Sequence, residues 1–195
     1  MRPEESAYWD SIAIQAKAST LKDNIWKRAE IVSRILSHRP IGFRILEIGS
    51  GQAVAAATVN LVTLGHMKYT GTDVSAEFCK FVETRWRLKM VQTDILELPE
   101  GPFDMIWAFD TLEHVRPEER AAGYAEMDRA LGERGMILLN IPLDDSEHDK
   151  QFDWGMKPQE VFAIAEGTHT IVQKFEPYDV PEIECSYVWA ELRRP

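Results

Sequence analysis

Residues Phe43–Ala53 read FRILEIGSGQA, an apolar run that ends in Glu47 and Ile48, followed by Gly49 and Gly51 with only Ser50 between them. The run has the length and composition of a buried β-strand, and the glycines mark a turn that only small residues tolerate. The next residues, from Ala53 to Leu64, carry the apolar pattern of a helix. A strand, a glycine turn and a helix in succession fit a nucleotide-type cofactor site and also an ordinary strand-to-helix connection. The rest of the chain has to decide between them.

Outward from this stretch, short apolar β runs alternate with amphipathic helices, the pattern of a parallel sheet covered on both faces. The remaining core strands are expected at Lys68–Thr72, Lys89–Gln92, Phe103–Ala108 and Gly135–Asn140. Helices are expected at Ala76–Arg85, Pro117–Leu131 and Pro158–Glu166. The start of the middle one, RPEER, places proline in the first turn and acids at the positive end of the helix dipole. Thr168–Tyr178 and Glu184–Leu192 read as two β runs joined by a proline-bearing turn, which predicts an antiparallel end to the sheet. Before the quoted stretch, apolar residues recur at helical spacing from Ile12 to Leu36, and Pro40 with Gly42 stops that helical region.

The chain has 195 residues, 22 basic and 32 acidic, for a formal charge of -10. That length suits one globular domain. The acidic balance repels a polyphosphate backbone, and no basic stripe with interleaved aromatics offsets it, which argues against bulk nucleic-acid binding. No apolar run approaches the roughly 18 residues of a membrane span. The opening MRPEESAYWD is polar and acidic, unlike a secretory leader. A soluble cytoplasmic protein without a membrane segment is the expectation, working as a monomer or homodimer. Cys79 and Cys185 lack metal-type spacing and are expected as reduced thiols.

In a doubly wound sheet, ligands bind outside the carboxyl ends of the strands. Four expected strands end at or near an acid: Glu47, Asp73, Asp94 and Asp110. Each has a physical task if the ligand contains adenosine. Gly49 and Gly51 admit close backbone approach, and Asp73, 24 positions after Gly49, can accept hydrogen bonds from a ribose diol. Asp94 can receive an exocyclic amine while Ile95 packs on a base. A dinucleotide would want a third small residue at position 54, where this chain has Val54. Glu47 is unhelpful beside a pyrophosphate and suits a ligand bearing an ammonium group.

These segments resemble the motifs of class I S-adenosylmethionine-dependent methyltransferases, in the small-molecule, type 11-like branch. ILEIGSGQA is similar to their first motif, with Ala53 where a third glycine is common. YTGTDVS resembles their ribose-binding segment, VQTDILELP their adenine-contacting segment, FDMIWAFDTLEHV their fourth-strand motif and GERGMILLNIP their fifth-strand segment. The resemblance covers about residues 41–141. It implies a three-layer, Rossmann-like α/β fold with a seven-stranded sheet, mostly parallel with an antiparallel last strand. It also implies methyl transfer from S-adenosyl-L-methionine, leaving S-adenosyl-L-homocysteine.

Carried over residue by residue, the resemblance assigns Glu47 to the methionine amino group, and Gly49, Ser50 and Gly51 to the methionine and ribose. Asp73 would take the ribose hydroxyls with Val74 against the adenine, Asp94 and Ile95 would frame the adenine, and Phe109 with Asp110 would border the methionine end. His114 in TLEHV is the candidate general base, because histidine titrates near neutral pH. Glu113 is expected to organise its loop. Phe152 and Trp154, aromatics in the polar connection 142–158, are candidates for a substrate wall or a lid, or anchors that pin the loop. Tyr8 and Trp9 are candidates to cap the site or to staple the first helix. The acids and histidine at Asp144, Asp145, Glu147, His148, Asp149 and Asp153 are expected to face water, so no metal is predicted.

The expected organisation is a single domain over 1–195, with a helical cap at 1–40, a cofactor-binding core at 41–141 and a substrate-side loop and strand end at 142–195. The expected acceptor is a small molecule methylated at oxygen, nitrogen or carbon. An RNA or protein substrate, or a non-catalytic binding module, is the alternative.

Overall fold

The computed structural model describes residues 2–16, 23–62, 66–142, 152–180 and 185–195. Seven strands form one mostly parallel sheet in the order β3-β2-β1-β4-β5-β7-β6, flanked by helices, the Rossmann-like α/β architecture. The chain divides into two compact units, Met1–Thr93 and Asp94–Pro195.

The first unit holds α1 (Pro3–Ala16), α2 (Asp23–Leu36), β1 (Arg44–Ile48), α3 (Val54–Val62), β2 (Lys68–Asp73), α4 (Ala76–Trp86) and β3 (Lys89–Gln92). β2 runs parallel to both β1 and β3, with Glu47 opposite Gly71 and Thr72 opposite Val91. Ile45, Leu46 and Ile48 of β1 are buried, as expected of an uninterrupted apolar strand that lies inside a parallel sheet. The single helical region read from the first forty residues is two helices, α1 and α2, in the described residues.

The N-terminus of α4 is capped twice. Ser75 accepts the Phe78 N–H at 3.1 Å, and the Asp10 carboxylate of α1 accepts the Glu77 N–H at 3.1 Å and the Ser75 hydroxyl at 2.6 Å. An acid at that end also meets the positive pole of the α4 dipole. Ser6 of α1 donates to the Val74 carbonyl at 2.9 Å. The first helix is thereby fastened to the β2–α4 turn through polar contacts at Ser6 and Asp10.

The second unit holds β4 (Phe103–Phe109), a 3-10 turn (Leu112–His114), α5 (Pro117–Ala130), β5 (Leu131–Pro142), α6 (Glu160–Gly167), β6 (Ile171–Val180) and β7 (Cys185–Arg193). β4 and β5 are parallel, with Phe109 opposite Asn140, whereas β7 is antiparallel to both β5 and β6. The antiparallel end predicted from the two late β runs is therefore present. β5 begins at Leu131, four residues before the expected start, because Leu131 already pairs with Phe103. Trp107, Trp189, Met105, Ile106, Ile137, Leu138 and Leu139 are almost wholly buried. Burying each such side chain contributes about 1.5–3 kcal/mol.

Candidate active site

In the first unit, the turn after β1 is built from positive-φ residues. Gly49 and Gly51 have φ of 60° and 50°, and Ala53 has φ of 46°. The glycines take this region freely. Ala53 takes it at a cost of about 1 kcal/mol. The turn is closed by Ser50 N–H to the Thr72 carbonyl at 2.9 Å and by the Trp86 indole N–H to the Gln52 carbonyl at 3.0 Å.

Two carboxylates are buried around this turn. Asp73, at the end of β2, accepts the Gly51 N–H at 2.8 Å through one oxygen and the Ser75 N–H at 2.9 Å through the other. Burial raises its pKa to about 6, against the lowering effect of the two amide hydrogen bonds. Glu47 is 4% exposed and accepts the Tyr69 hydroxyl at 2.6 Å. Burial raises its pKa to about 7; the Tyr69 hydrogen bond and the Arg28 charge oppose the rise, and Asp73 adds to it. Burial and the adjacent Glu47 in turn push the Tyr69 phenol well above the ordinary tyrosine range.

The strand glycine opposite Glu47 makes this contact possible. A Cβ on Gly71 would lie 2.5 Å from the Met90 sulfur, 2.6 Å from the Tyr69 hydroxyl and 3.0 Å from the Ser50 hydroxyl. A side chain at this position would displace the Met90, Tyr69 and Ser50 side chains from these contacts. Ser50 itself reaches the Met90 sulfur at 3.7 Å. Cys79 contributes no reactive thiolate here, since burial and then the Asp73 charge push its pKa up to about 12.

In the second unit, β4 is followed directly by Asp110, which has φ of 48° and donates its N–H to the Asn140 carbonyl at 3.0 Å. Aspartate is one of the few residues that visits this conformation readily. Phe109 is buried and stacks with Trp107 at 5.8 Å between centroids, and it packs on Trp189 at 5.6 Å. Asn140 donates to the Tyr178 hydroxyl at 2.7 Å.

His114 closes the 3-10 turn with its Nδ1 2.9 Å from the Phe152 carbonyl. A carbonyl only accepts, so Nδ1 carries the proton and neutral His114 presents its lone pair on Nε2. That Nε2 lies 3.7 Å from a carboxylate oxygen of Glu113, a buried side chain suited to face an imidazolium. The Glu113 carbonyl accepts the Trp154 N–H at 3.0 Å.

The structure separates the predicted site residues by environment. Glu47, Ser50, Gly51 and Asp73 are gathered about one turn, whereas Val74 lies in the next turn with its carbonyl accepting from Ser6 and from Gln92. Asp94 accepts the Leu96 N–H of its own turn at 2.9 Å, and Ile95 is buried against α5 at Gly123. Tyr8 and Trp9 are half-buried and meet edge to face at 5.0 Å. Phe152 is buried; Trp154 is 38% exposed, with the Arg116 guanidinium 5.4 Å from its ring centre. The described end of the 142–158 connection is thus fastened down at both aromatics.

Asp144, Asp145, Glu147, His148 and Asp149 lie outside the described residues. Asp153 accepts the Gly155 N–H at 2.8 Å, and among the described residues no group of three or more His, Cys, Asp or Glu is placed to hold a metal. Sequence reasoning missed Tyr69, Arg28 and Arg120. A signal for Tyr69 was present, because a glycine two residues along a strand marks a close approach on that face.

Residues 45–135 match the family model described as a methyltransferase domain. Over these residues the chain is similar to a methyltransferase domain. No curated protein matches the chain. Among solved structures, the 1,6-didemethyltoxoflavin-N1-methyltransferase of Burkholderia thailandensis is 19% identical with a TM-score of 0.72, covering 100% of this chain and 91% of that one. The magnesium protoporphyrin IX methyltransferase of Synechocystis PCC 6803, bound to S-adenosylhomocysteine, is 12% identical with a TM-score of 0.78, covering 98% of each chain. The N-methyltransferase NodS of Bradyrhizobium japonicum WM9 is 15% identical with a TM-score of 0.75, covering 96% of this chain and 98% of its own. At these identities the likeness is one of fold, and it extends beyond residues 45–135 on both sides.

Proposed function

We propose that the protein is an S-adenosylmethionine-dependent methyltransferase acting on a small molecule at oxygen, nitrogen or carbon. One observation carries the reading: two carboxylates, Glu47 and Asp73, are buried beside a glycine turn that leaves backbone approachable. Buried acids at raised pKa disfavour an anionic ligand and favour one that brings a positive charge. Glu47 is assigned to an ammonium group, Asp73 to ribose hydroxyls, and Gly49, Ser50 and Gly51 to the ligand's contact with the turn. Val74, Asp94 and Ile95 are assigned to the adenine, and Phe109 with Asp110 to the methionine end. The bound ligands of the similar structures, S-adenosylhomocysteine among them, support this choice.

The cofactor supplies a methyl group already activated on a sulfonium, so the protein's task is mainly to position the acceptor and accept its proton. His114 is proposed as that base, with Nε2 as the accepting atom. Phe152 and Trp154, with Tyr8 and Trp9, are proposed to contact the acceptor. The proposed organisation is one domain over 1–195, with residues 1–40 as a helical cap and 142–195 on the substrate side. We also propose a cytoplasmic monomer or homodimer with no nucleic-acid partner, a reading supported by the acidic charge. Among the described residues no helix is long and apolar enough to cross a membrane.

The test is calorimetric titration with S-adenosylmethionine, followed by S-adenosylhomocysteine release over a panel of small oxygen, nitrogen and carbon acceptors. The expected result is micromolar binding and turnover on at least one acceptor. Absence of binding at millimolar cofactor overturns the reading, and binding without turnover on the panel moves the acceptor to RNA or protein, or removes catalysis. His114→Gln is expected to lower kcat by about 100-fold or more with cofactor affinity unchanged.

A further inference from the structure

The segment Phe152–Glu160 is held against the 3-10 turn and the start of α5 by more than its two aromatics. Arg120, on the first turns of α5, is 7% exposed and spends its guanidinium on three acceptors. Its Nε donates to the Val115 carbonyl at 3.0 Å, one Nη to the Gly155 carbonyl at 2.6 Å and the other to Glu160 at 2.6 Å. Glu160 in turn accepts the Lys157 N–H at 3.0 Å through its second oxygen, which closes the start of α6. Gly155 sits at φ of 62°, a conformation that turns the chain back toward Arg120.

These contacts have a consequence for His114. Two residues before Trp154 and three before Gly155, the Phe152 carbonyl is the group that fixes His114 Nδ1 as the protonated nitrogen. The Glu113 carboxylate, 3.7 Å from Nε2, favours a proton on that nitrogen, so the Phe152 carbonyl is the contact that favours Nδ1–H. The selection depends on where the Phe152 carbonyl is held: the Trp154 N–H on the Glu113 carbonyl fixes the backbone beside it, and the Arg120 side chain ties the Phe152 segment, through Gly155 and Glu160, to the turn that carries His114, through Val115. A guanidinium does this because its planar fork serves three acceptors at once; a lysine ammonium lacks that geometry.

We propose that Arg120 is a positioning residue for His114: by clamping Gly155, Glu160 and Val115, it holds the Phe152 carbonyl on Nδ1 and keeps Nε2 as the proton-accepting nitrogen. The catalytic part of this proposal rests on the reading of His114 as base, while the tautomer part stands on geometry alone.

The two parts are tested separately. Nitrogen-15 NMR of imidazole-labelled protein reads which His114 nitrogen is protonated, independently of any activity. The native protein is expected to show an Nδ1–H, Nε2-acceptor imidazole, and Arg120→Met to show a mixed population with substantial Nε2–H. Glu160→Ala, which removes one arm of the clamp and leaves Arg120 in place, gives the same change in smaller degree should Arg120→Met fail to fold. Glu160→Gln retains an acceptor and is expected to keep the native signal.

In turnover, Arg120→Met and Glu160→Ala are expected to lower kcat by about 5- to 10-fold, the loss of one net hydrogen bond's selectivity, with cofactor affinity within about 2-fold. A native tautomer signal in folded Arg120→Met or Glu160→Ala overturns the positioning role. A silent His114→Gln overturns the base reading while the NMR result still decides the clamp. Loss of kcat in the clamp variants with the tautomer unchanged also overturns the proposal, since the defect then comes from elsewhere.

Discussion

Replacing Tyr69 with phenylalanine should make cofactor binding depend on pH in a defined way. Glu47 has a pKa of about 7 in the native protein, and the Tyr69 hydroxyl at 2.6 Å is the leading influence holding it that low. A hydrogen bond to a charged group contributes about 1.5–3 kcal/mol, so its loss should raise the Glu47 pKa by roughly 1–2 pH units. The proposed ammonium contact needs the carboxylate. At pH 7 about half the native protein offers it, against roughly one part in ten to one in a hundred of Tyr69→Phe. The ratio of the two dissociation constants should therefore be roughly 5- to 50-fold at pH 7 and shrink to within about 2-fold by pH 9. Taking the ratio removes the titration of the ligand's own amino group. Native binding near pH 6.5 should also release protons, read from calorimetry in buffers of different ionisation enthalpy. A dissociation-constant ratio that stays flat from pH 6 to 9, or binding without proton release, refutes the reasoning. The same shift has a sign for stability: the folded pKa lies above the ordinary 4.5, so this group's contribution is fully present below pH 4.5 and is lost as pH rises through about 7. The loss is about 3 kcal/mol in the unliganded protein, and cofactor should restore part of it.

Asp73→Ala should lower stability by about 2–4 kcal/mol by orphaning the Gly51 and Ser75 amides, seen as a drop in Tm, and should weaken cofactor binding. Asp73→Asn keeps one acceptor and should recover about half of the stability; equal stability for the two variants would remove the amide-bridging role. Gly71→Ala should destabilise by about 1–3 kcal/mol in denaturant titration, because its methyl collides with Met90, Tyr69 and Ser50, and a neutral result would place those three side chains elsewhere.

Much of the fold follows from local pattern. Every core strand ends within a few residues of its predicted position, because alternation of apolar runs with glycine turns is a local property that packing then reinforces. The break between α1 and α2 is different: the spacing from Ile12 to Leu36 is compatible with one helix or two, and periodicity alone does not choose. Ala53 illustrates another limit. Its sequence context suggested a tolerated replacement, yet its φ of 46° depends on the closure of the whole turn. The candidate site was legible at strand ends, where Glu47 and Asp73 lie buried beside the glycine turn. Arg28 and Arg120 were not legible, since each acts across many residues on a partner that only the tertiary structure brings near. Asp94 shows the converse, a strand-terminal acid that uses an oxygen on its own turn.

The division of work between Glu47 and the rest of the site has a kinetic consequence. Methyl transfer removes the positive charge on sulfur and leaves the ammonium untouched, so a carboxylate that grips the ammonium binds cofactor and product alike. Such uniform binding affects KM without favouring the transition state. Glu47→Gln should accordingly raise the cofactor KM and the product inhibition constant by the same factor, about 10- to 100-fold for a lost charged hydrogen bond, with kcat held. Preference for cofactor over product has to arise from groups that sense the sulfur, and those are to be sought away from the Glu47–Tyr69 pair. If Glu47→Gln instead lowered kcat with KM unchanged, the carboxylate would be acting on the reacting centre, and its assignment to the ammonium would fall.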